Sequence, residues 1–85
     1  MDIRFTPHAW KDYLFWHATD RKMLNRINKL IIEISRNPHE GVGKPERLKG
    51  NFSGWLSRRI NLEHRLIYSI TDDAVIIIAC RYHYE

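Results

Sequence analysis

A carboxylate set among cations is the feature of this sequence that could do chemistry. Glu46 and Lys49 lie on a short predicted strand, and Arg59 and Arg65 lie on the two strands that follow. A carboxylate surrounded by positive charge is ionised at neutral pH and can accept a proton. An arginine pair suits phosphate, because each guanidinium presents a planar fork of donors. These residue types indicate acid–base chemistry at a phosphate.

The end of the chain supplies a candidate proton donor. His83 stands beside Tyr84 there, and histidine exchanges protons near neutral pH. A glutamate base, a histidine acid and an arginine clamp could cleave RNA without a metal ion. The base takes the 2′-hydroxyl proton, the 2′-oxygen attacks the adjacent phosphorus, and the acid protonates the departing 5′-oxygen. DNA lacks that hydroxyl and cannot react in this way.

The register of the predicted strands decides which of these residues meet. A turn centred on Glu63 places Asn61 opposite Arg65 and Ile67 opposite Arg59. Residues with this alternation share one face of a sheet. The sequence therefore predicts that Arg59 and Arg65 lie on the same face.

The turn at residues 72–73 leaves the parity of the last strand open. A two-residue turn places Tyr82 and Tyr84 on the Arg65 face, whereas a three-residue turn places Arg81 and His83 there. One residue of slip exchanges the two faces of a strand. Both registers, and a tail that curls off the sheet, agree with the sequence.

The elements that must position these residues are helical in the first half of the chain. A short strand is predicted at residues 3–5. Thr6 is a helix cap followed by Pro7 at the first helical position. A second cap at Thr19-Asp20 begins a helix that ends near Arg36, before a proline. Both helices show apolar side chains at helical spacing.

The second half of the chain has the composition of strands. A loop at residues 37–45 holds two prolines and two glycines, and strands are predicted at residues 46–49, 55–61, 65–71 and 74–82. Their connections are too short for parallel crossovers. The predicted fold is therefore α+β, in the order β-α-α-β-β-β(-β), with two helices packed on one face of a twisted antiparallel sheet.

Length and composition limit the classes of protein to consider. With 85 residues the chain forms one predicted domain, residues 1–85. It has no membrane-length apolar run and no signal-peptide pattern, which favours a cytoplasmic location. Its single cysteine, Cys80, lies in an apolar run and is predicted to be a core residue. The histidines lack metal-ligand spacing. The tryptophans Trp10 and Trp16 are predicted to be core residues, and Trp55 is either a core residue or a platform on which bases stack.

The net charge of +4 is concentrated in one segment. Residues 44–65 carry six basic and two acidic side chains, which equals the excess of the whole chain. Such a segment favours an anionic partner. Charged side chains on strand edges commonly serve only to prevent aggregation. The residues alone therefore support no more than a small basic α+β domain that binds nucleic acid.

Four segments of the chain resemble one known family. They are WKDYLFW, GKPERLKGNFSGWLSRRI, EHRLIYSITDD and IIIACRYHY, and they are similar to the YoeB toxins, which belong to the RelE superfamily of bacterial type II toxin–antitoxin systems. The resemblance covers essentially the whole chain. It implies the RelE-like fold and ribosome-dependent cleavage of mRNA in the A site, which inhibits translation.

The resemblance also assigns roles to individual residues. It implies Glu46 in GKPE as the base, Arg65 in EHRL as the transition-state arginine and His83 in CRYHY as the acid. Lys49 and Arg59 then contact phosphate, and Tyr84 orients the substrate. No cofactor is implied. Because Arg65 and His83 must share one site, the resemblance favours the longer turn or a curled tail.

The implied partners are a YefM-type antitoxin, the 70S ribosome with its mRNA, and a second copy of the chain in a homodimer. Two departures from the family pattern stand out: Trp55 is followed by Leu56, and Glu85 extends the chain past Tyr84.

Two non-catalytic functions remain alternatives. Toxins of the same fold that resemble ParE are implied to bind DNA gyrase, and a translation inhibitor could occupy the ribosome without cutting mRNA. A gyrase binder would not need Glu46, Lys49, Arg65 and His83 together.

Overall fold

Two helices and five strands follow the predicted order in the computed structural model, which describes residues 1–82. The α+β class is confirmed. A short 3₁₀ helix, Gly50–Phe52, is an addition. The elements are β1 (Asp2–Phe5), α1 (Pro7–Thr19), α2 (Arg21–Arg36), β2 (Glu46–Arg47), β3 (Leu56–Arg59), β4 (Arg65–Ile70) and β5 (Ala74–Ala79).

Side-chain caps start both helices where the sequence predicts them. The hydroxyl of Thr6 accepts a hydrogen bond from the amide of Ala9 at 3.1 Å, and Pro7 is the first helical residue. The Asp20 carboxylate accepts bonds from the amides of Lys22 and Met23. These contacts satisfy amide groups that the first turn of a helix leaves without partners.

The sheet has the strand order β1-β5-β4-β3-β2 and is mixed. Strands β2 to β5 form the expected antiparallel hairpins, but β1 pairs with β5 in parallel. This pairing corrects the prediction of a wholly antiparallel sheet. Short connections require antiparallel pairing only between strands that are neighbours in the chain, and β1 and β5 are separated by nearly the whole sequence.

All four strands described in the second half are shorter than predicted. Strand β2 ends at Arg47 and not at Lys49, because the chain turns into the 3₁₀ helix at Gly50, whose φ is +64°. Strand β5 ends at Ala79 and not at Tyr82. Residues 80–82 therefore leave the ladder before the chain end.

The core lies between the two helices and one face of the sheet. Alternate residues of the strands, among them Leu66 and Tyr68, meet the apolar side of α2. Trp16 is buried as predicted, whereas Trp10 is 48% exposed and stacks on Tyr13 at the surface. The prediction that Trp10 is a core residue is wrong. The helices contribute Ala9, Trp16, Met23, Leu24, Ile27, Leu30, Ile31 and Ile34 to the core.

A buried arginine attaches the loop at residues 37–45 to this core. Arg58 is 0% exposed. Its Nε donates to the hydroxyl of Tyr68 at 3.1 Å, and its two Nη atoms donate to the backbone carbonyls of Asn37, Glu40 and Val42. The Tyr68 hydroxyl donates in turn to the carbonyl of Pro38 at 2.7 Å. Sequence reasoning assigned Arg58 no separate role.

We expect Arg58→Met to lower the free energy of unfolding by about 3 kcal/mol, because several loop carbonyls lose their donor and each loss costs roughly 1–3 kcal/mol. Urea unfolding followed by circular dichroism measures the change. Arg47→Met, at an exposed position of β2, is the matched control and should alter stability little. Equal urea midpoints for the two variants would contradict the role of Arg58.

Candidate active site

Three of the predicted site residues share the face of the sheet that points away from the core. Glu46 pairs with Ser57, and Ser57 pairs with Ile67 in the next strand. Arg59 pairs with Arg65 two positions further along the same strands. Residues two apart in a strand point to the same side. The register therefore places Glu46, Arg59 and Arg65 on one face of three successive strands.

The two arginines lie directly opposite each other. The β3–β4 turn is centred on Leu62, since the amide of Ile60 donates to the carbonyl of His64 at 2.9 Å. Arg65 therefore faces Arg59. The predicted turn was centred one residue too late, on Glu63, so its pairing of Arg65 with Asn61 is wrong. The shared face is unchanged, because the shift preserves parity.

The backbone geometry of this pair holds the Cα atoms of the two arginines close. The amide of Arg59 donates to the carbonyl of Gly43 on the β2 side, so Arg59 and Arg65 form a non-hydrogen-bonded pair. In such pairs the Cα atoms are about 4.5 Å apart. Like charges directly opposite each other destabilise a sheet. Neither arginine forms an ion pair with any residue of the described segment 1–82. Two such neighbouring cations are suited to an anionic ligand.

The guanidinium of Arg65 is tied to the adjacent turn. Its Nη1 donates to the carbonyl of Asn61 at 3.0 Å and to that of His64 at 3.3 Å. These bonds fix the side chain without neutralising its charge, because carbonyl groups are neutral acceptors. Arg65 is half-buried as a result.

A close approach at Gly43 brings the GKPE segment against β3, since the amide of Arg59 donates to the carbonyl of Gly43 at 2.7 Å. Gly43 has a φ of +89°, and a Cβ there would lie 3.1 Å from the Cβ of Arg58 and from the carbonyl oxygen of Arg59. Only glycine fits such an approach without strain. Glu46 is exposed, and Arg59 is its diagonal neighbour on β3, a position that is about 7–8 Å away in a regular sheet.

The remaining predicted residues lie elsewhere. Lys49 is exposed and comes after the end of β2, directly before the 3₁₀ helix, so the ladder does not align it with Glu46. His83, Tyr84 and Glu85 lie outside the described residues, and their predicted roles stay predictions.

The last strand follows the register of the short turn as far as Ile77 and has the opposite parity after Ile78. The turn at residues 72–73 is the short one, since the amide of Thr71 donates to the carbonyl of Ala74 at 2.9 Å. Further along, Tyr68 pairs with Ile77, but its neighbour Ile67 pairs with Ala79. Ile78 is therefore an extra residue, a β-bulge. The bulge reverses the parity of the residues after it, which is the change that the longer turn would have produced.

Four hydrogen bonds to described residues hold the backbone of residues 80–82 after β5 ends. The amide of Cys80 donates to Oδ2 of Asp12 at 3.0 Å, and the indole Nε1 of Trp16 donates to the carbonyl of Cys80 at 2.8 Å. The amide of Tyr82 donates to Nδ1 of His64 at 2.7 Å, and its carbonyl accepts from the amide of Arg65 at 2.8 Å.

Arg81, which lies between Cys80 and Tyr82, is held by its side chain. The guanidinium of Arg81 lies 3.5 Å from the ring centroid of Phe15. Sequence reasoning missed the roles of Asp12, Trp16 and His64. The only available signal was the spacing of Asp12 and Trp16, four residues apart on one helix face.

Comparison with known proteins identifies the family. A family model described as the YoeB-like toxin of bacterial type II toxin–antitoxin systems matches residues 5–84. The chain belongs to the YoeB-like toxin family. A YoeB toxin of Streptomyces coelicolor is 56% identical over 84 residues, which covers 99% of this chain and all of the relative.

Solved structures of YoeB toxins share the fold. A YoeB/ParE toxin from Agrobacterium tumefaciens superposes with a TM-score of 0.96 at 44% identity, covering 99% of this chain and 100% of that one. A YoeB dimer from Staphylococcus aureus gives a TM-score of 0.92 at 48% identity, covering 99% and 98%. A heterotetrameric YoeB–YefM toxin–antitoxin complex from the same organism gives 0.91 at 48% identity, with the same coverage.

Residues 1–82 of this YoeB-like chain contain no group of three or more His, Cys, Asp or Glu side chains placed to hold a metal ion. The same residues form no helix with the length and apolar character needed to cross a membrane.

Burial raises the pKa of the Cys80 thiol from 9.0 to about 12, and the Asp12 carboxylate adds to the effect. The folded chain therefore has about 10³-fold less thiolate than the unfolded chain at neutral pH.

We expect iodoacetamide at pH 8 to leave folded Cys80 unmodified and to alkylate it in urea. Stability should be fully present below pH 9.0 and should decline as pH rises towards about 12.

A chain with Cys80→Ala and Ser53→Cys provides the control for this alkylation, because Ser53 is exposed. Its thiol should react without denaturant. If Cys80 reacted in the folded chain as fast as this exposed thiol, the burial of Cys80 would be refuted.

Proposed function

We propose that the chain is an mRNA endoribonuclease that acts in the A site of the 70S ribosome and so inhibits translation. The observation that carries the proposal is the placement of Glu46 on one face of the sheet with Arg59 and Arg65. Cleavage of a phosphodiester by a 2′-hydroxyl needs a base to accept the hydroxyl proton. It also builds negative charge on the phosphoryl oxygens, which two cations can stabilise. Membership in the YoeB-like toxin family supports the same activity.

The proposed reaction needs one base, one acid and a cationic clamp. Glu46 accepts the proton of the 2′-hydroxyl, and the 2′-oxygen forms a bond to the adjacent phosphorus. Arg65, with Arg59 beside it, stabilises the added negative charge on the phosphoryl oxygens. The bond from phosphorus to the 5′-oxygen breaks, and His83 protonates that oxygen. The products are a 2′,3′-cyclic phosphate and a 5′-hydroxyl.

Three of the predicted residues bind and orient the RNA in this proposal. Lys49 and Arg59 contact phosphate groups, and Tyr84 orients the nucleotide that is cut. The net charge of +4 in residues 44–65 makes the whole segment attractive to RNA. Binding through such contacts weakens as the salt concentration rises.

The proposed partners follow from relatives of the chain. A YefM-type antitoxin would bind and neutralise it, since a Staphylococcus aureus YoeB was solved in complex with YefM. A homodimer is proposed because another structure is that of a YoeB dimer. Action on ribosomes implies a cytoplasmic location.

A gyrase-binding toxin and a ribosome-bound inhibitor that does not cut are the competing functions. The first inhibits DNA supercoiling and leaves mRNA intact, and the second arrests translation and leaves mRNA intact. Toeprinting of a translated message, with analysis of the RNA ends, separates both from the proposed nuclease.

We expect Glu46→Gln and His83→Ala each to slow ribosome-dependent mRNA cleavage by roughly 10²–10⁴-fold, because each removes one proton-transfer group. The measurement is the yield of 2′,3′-cyclic phosphate ends within A-site codons. Glu40→Gln is the matched control, since Glu40 is an exposed carboxylate in the loop before β2. A folded Glu46→Gln/His83→Ala double variant that cleaves at the wild-type rate would show the nuclease assignment to be wrong.

A further inference from the structure

A buried histidine beside the candidate site accepts a hydrogen bond from the end of the chain. His64 is only 6% exposed. Its Nδ1 lies 2.7 Å from the amide nitrogen of Tyr82, which donates to it. The ring packs edge-on against Trp16, with centroids 4.8 Å apart. The imidazole is therefore held in one orientation between α1 and the chain end.

The turn that carries His64 is itself fixed. The side-chain oxygen of Asn61 accepts hydrogen bonds from the amide of Glu63 at 2.9 Å and from the amide of His64 at 2.7 Å. This arrangement sets the backbone of His64 independently of its side chain. The acceptor Nδ1 thus belongs to a rigid part of the molecule.

The hydrogen bond also defines the tautomer of the ring. A nitrogen that accepts a bond has a free lone pair, so the neutral imidazole of His64 carries its proton on Nε2. The Nε2 atom lies 3.5 Å from a carboxylate oxygen of Glu63, on the side opposite Tyr82. A carboxylate on that side favours the same tautomer.

Tyr82 needs external support at this point. Its φ is +62°, a conformation that residues with a side chain adopt rarely. Strand β5 has already ended at Ala79, so no regular ladder holds the residue. His64 binds the amide of Tyr82, and Arg65, the next residue in the chain, binds its carbonyl at 2.8 Å. One dipeptide therefore clasps both polar groups of the Tyr82 backbone.

We propose that His64 is a positioning residue that fixes the backbone at Tyr82 relative to Arg65. This role rests on the proposed nuclease function in one respect: His83, the predicted acid, directly follows Tyr82 in the sequence. Because His64 and Arg65 are adjacent, the segment that leads to the acid is tied to the same turn that holds the phosphate-binding arginine.

Two substitutions at His64 separate the hydrogen bond from packing. In His64→Asn the side-chain oxygen stands near the position of Nδ1 and can still accept from Tyr82. In His64→Leu an apolar side chain fills the space without an acceptor. His17→Asn is the matched control, because His17 is exposed on α1. We expect cleavage to fall roughly 10²-fold in His64→Leu, the scale expected for a misplaced catalytic group, and to stay within a few-fold of wild type in the other two.

Nuclear magnetic resonance of the wild-type chain tests the hydrogen bond without any variant. We expect the ¹⁵N shifts of His64 to report the Nε2–H tautomer and the amide of Tyr82 to be protected from hydrogen exchange. Protection at Tyr82 should persist in His64→Asn and disappear in His64→Leu. A protonated Nδ1 in the neutral ring, or an unprotected Tyr82 amide in the wild type, would overturn the proposal.

The exchange and cleavage measurements fail in different ways. Loss of Tyr82 protection in His64→Leu with unchanged cleavage would refute the functional part of the positioning role. If the wild type showed no ribosome-dependent cleavage, the proposed nuclease function would fall, while the exchange data would still decide whether His64 fixes Tyr82. If His64→Asn and His64→Leu lost cleavage equally, with Tyr82 protected in the former, the effect would not arise from the hydrogen bond.

Discussion

A buried guanidinium that forms no ion pair with any carboxylate of residues 1–82 holds the edge of the sheet that carries the candidate site in place. Burying a charge is costly unless hydrogen bonds replace the lost water. Arg58 meets this requirement with the Tyr68 hydroxyl and three loop carbonyls. The loop leads directly into β2, which has only two residues and little pairing of its own. The location of Glu46 therefore depends on a side chain on the opposite face of the neighbouring strand.

Because side chains alternate between the two faces of β3, its adjacent arginines Arg58 and Arg59 have different roles. Successive side chains of a strand point to opposite faces. Arg58 points into the core and holds the loop, and Arg59 points outward next to Arg65. These two outward arginines face each other, and neither forms an ion pair with a carboxylate of residues 1–82. The repulsion between them is an electrostatic cost of folding which an anionic ligand would relieve.

Local signals in the sequence were sufficient for the helices and the fold class. Pro7 and Asp20 act through contacts within a few residues, so their effect is visible in the sequence. The bulge at Ile78 is different, because it results from fitting β5 between two other strands. The burial of Arg58 is equally non-local: its partners come from a loop and from the next strand. An arginine in a charged segment looks like a surface residue until the third dimension is known.

The same distinction applies to the site. The common face of Glu46, Arg59 and Arg65 follows from strand parity, which tolerated an error in the predicted turn centre. The clasp around Tyr82 could not be inferred, since it joins Tyr82 to a turn about 18 positions earlier in the chain. The face to which a side chain points can be read from one strand, whereas the clasp forms only when distant parts of the chain have packed together.

The parallel pairing of β1 with β5 has a consequence for how the chain folds. Contacts between these strands join residues 72 positions apart, such as Ile3 and Val75. Closing so long a loop is entropically costly and makes folding slow compared with that of helical domains of this size. Strand β1, which is synthesised first, therefore cannot pair until β5 has been synthesised. Until then it is an unpaired edge, and the two capped helices are the parts that can form early.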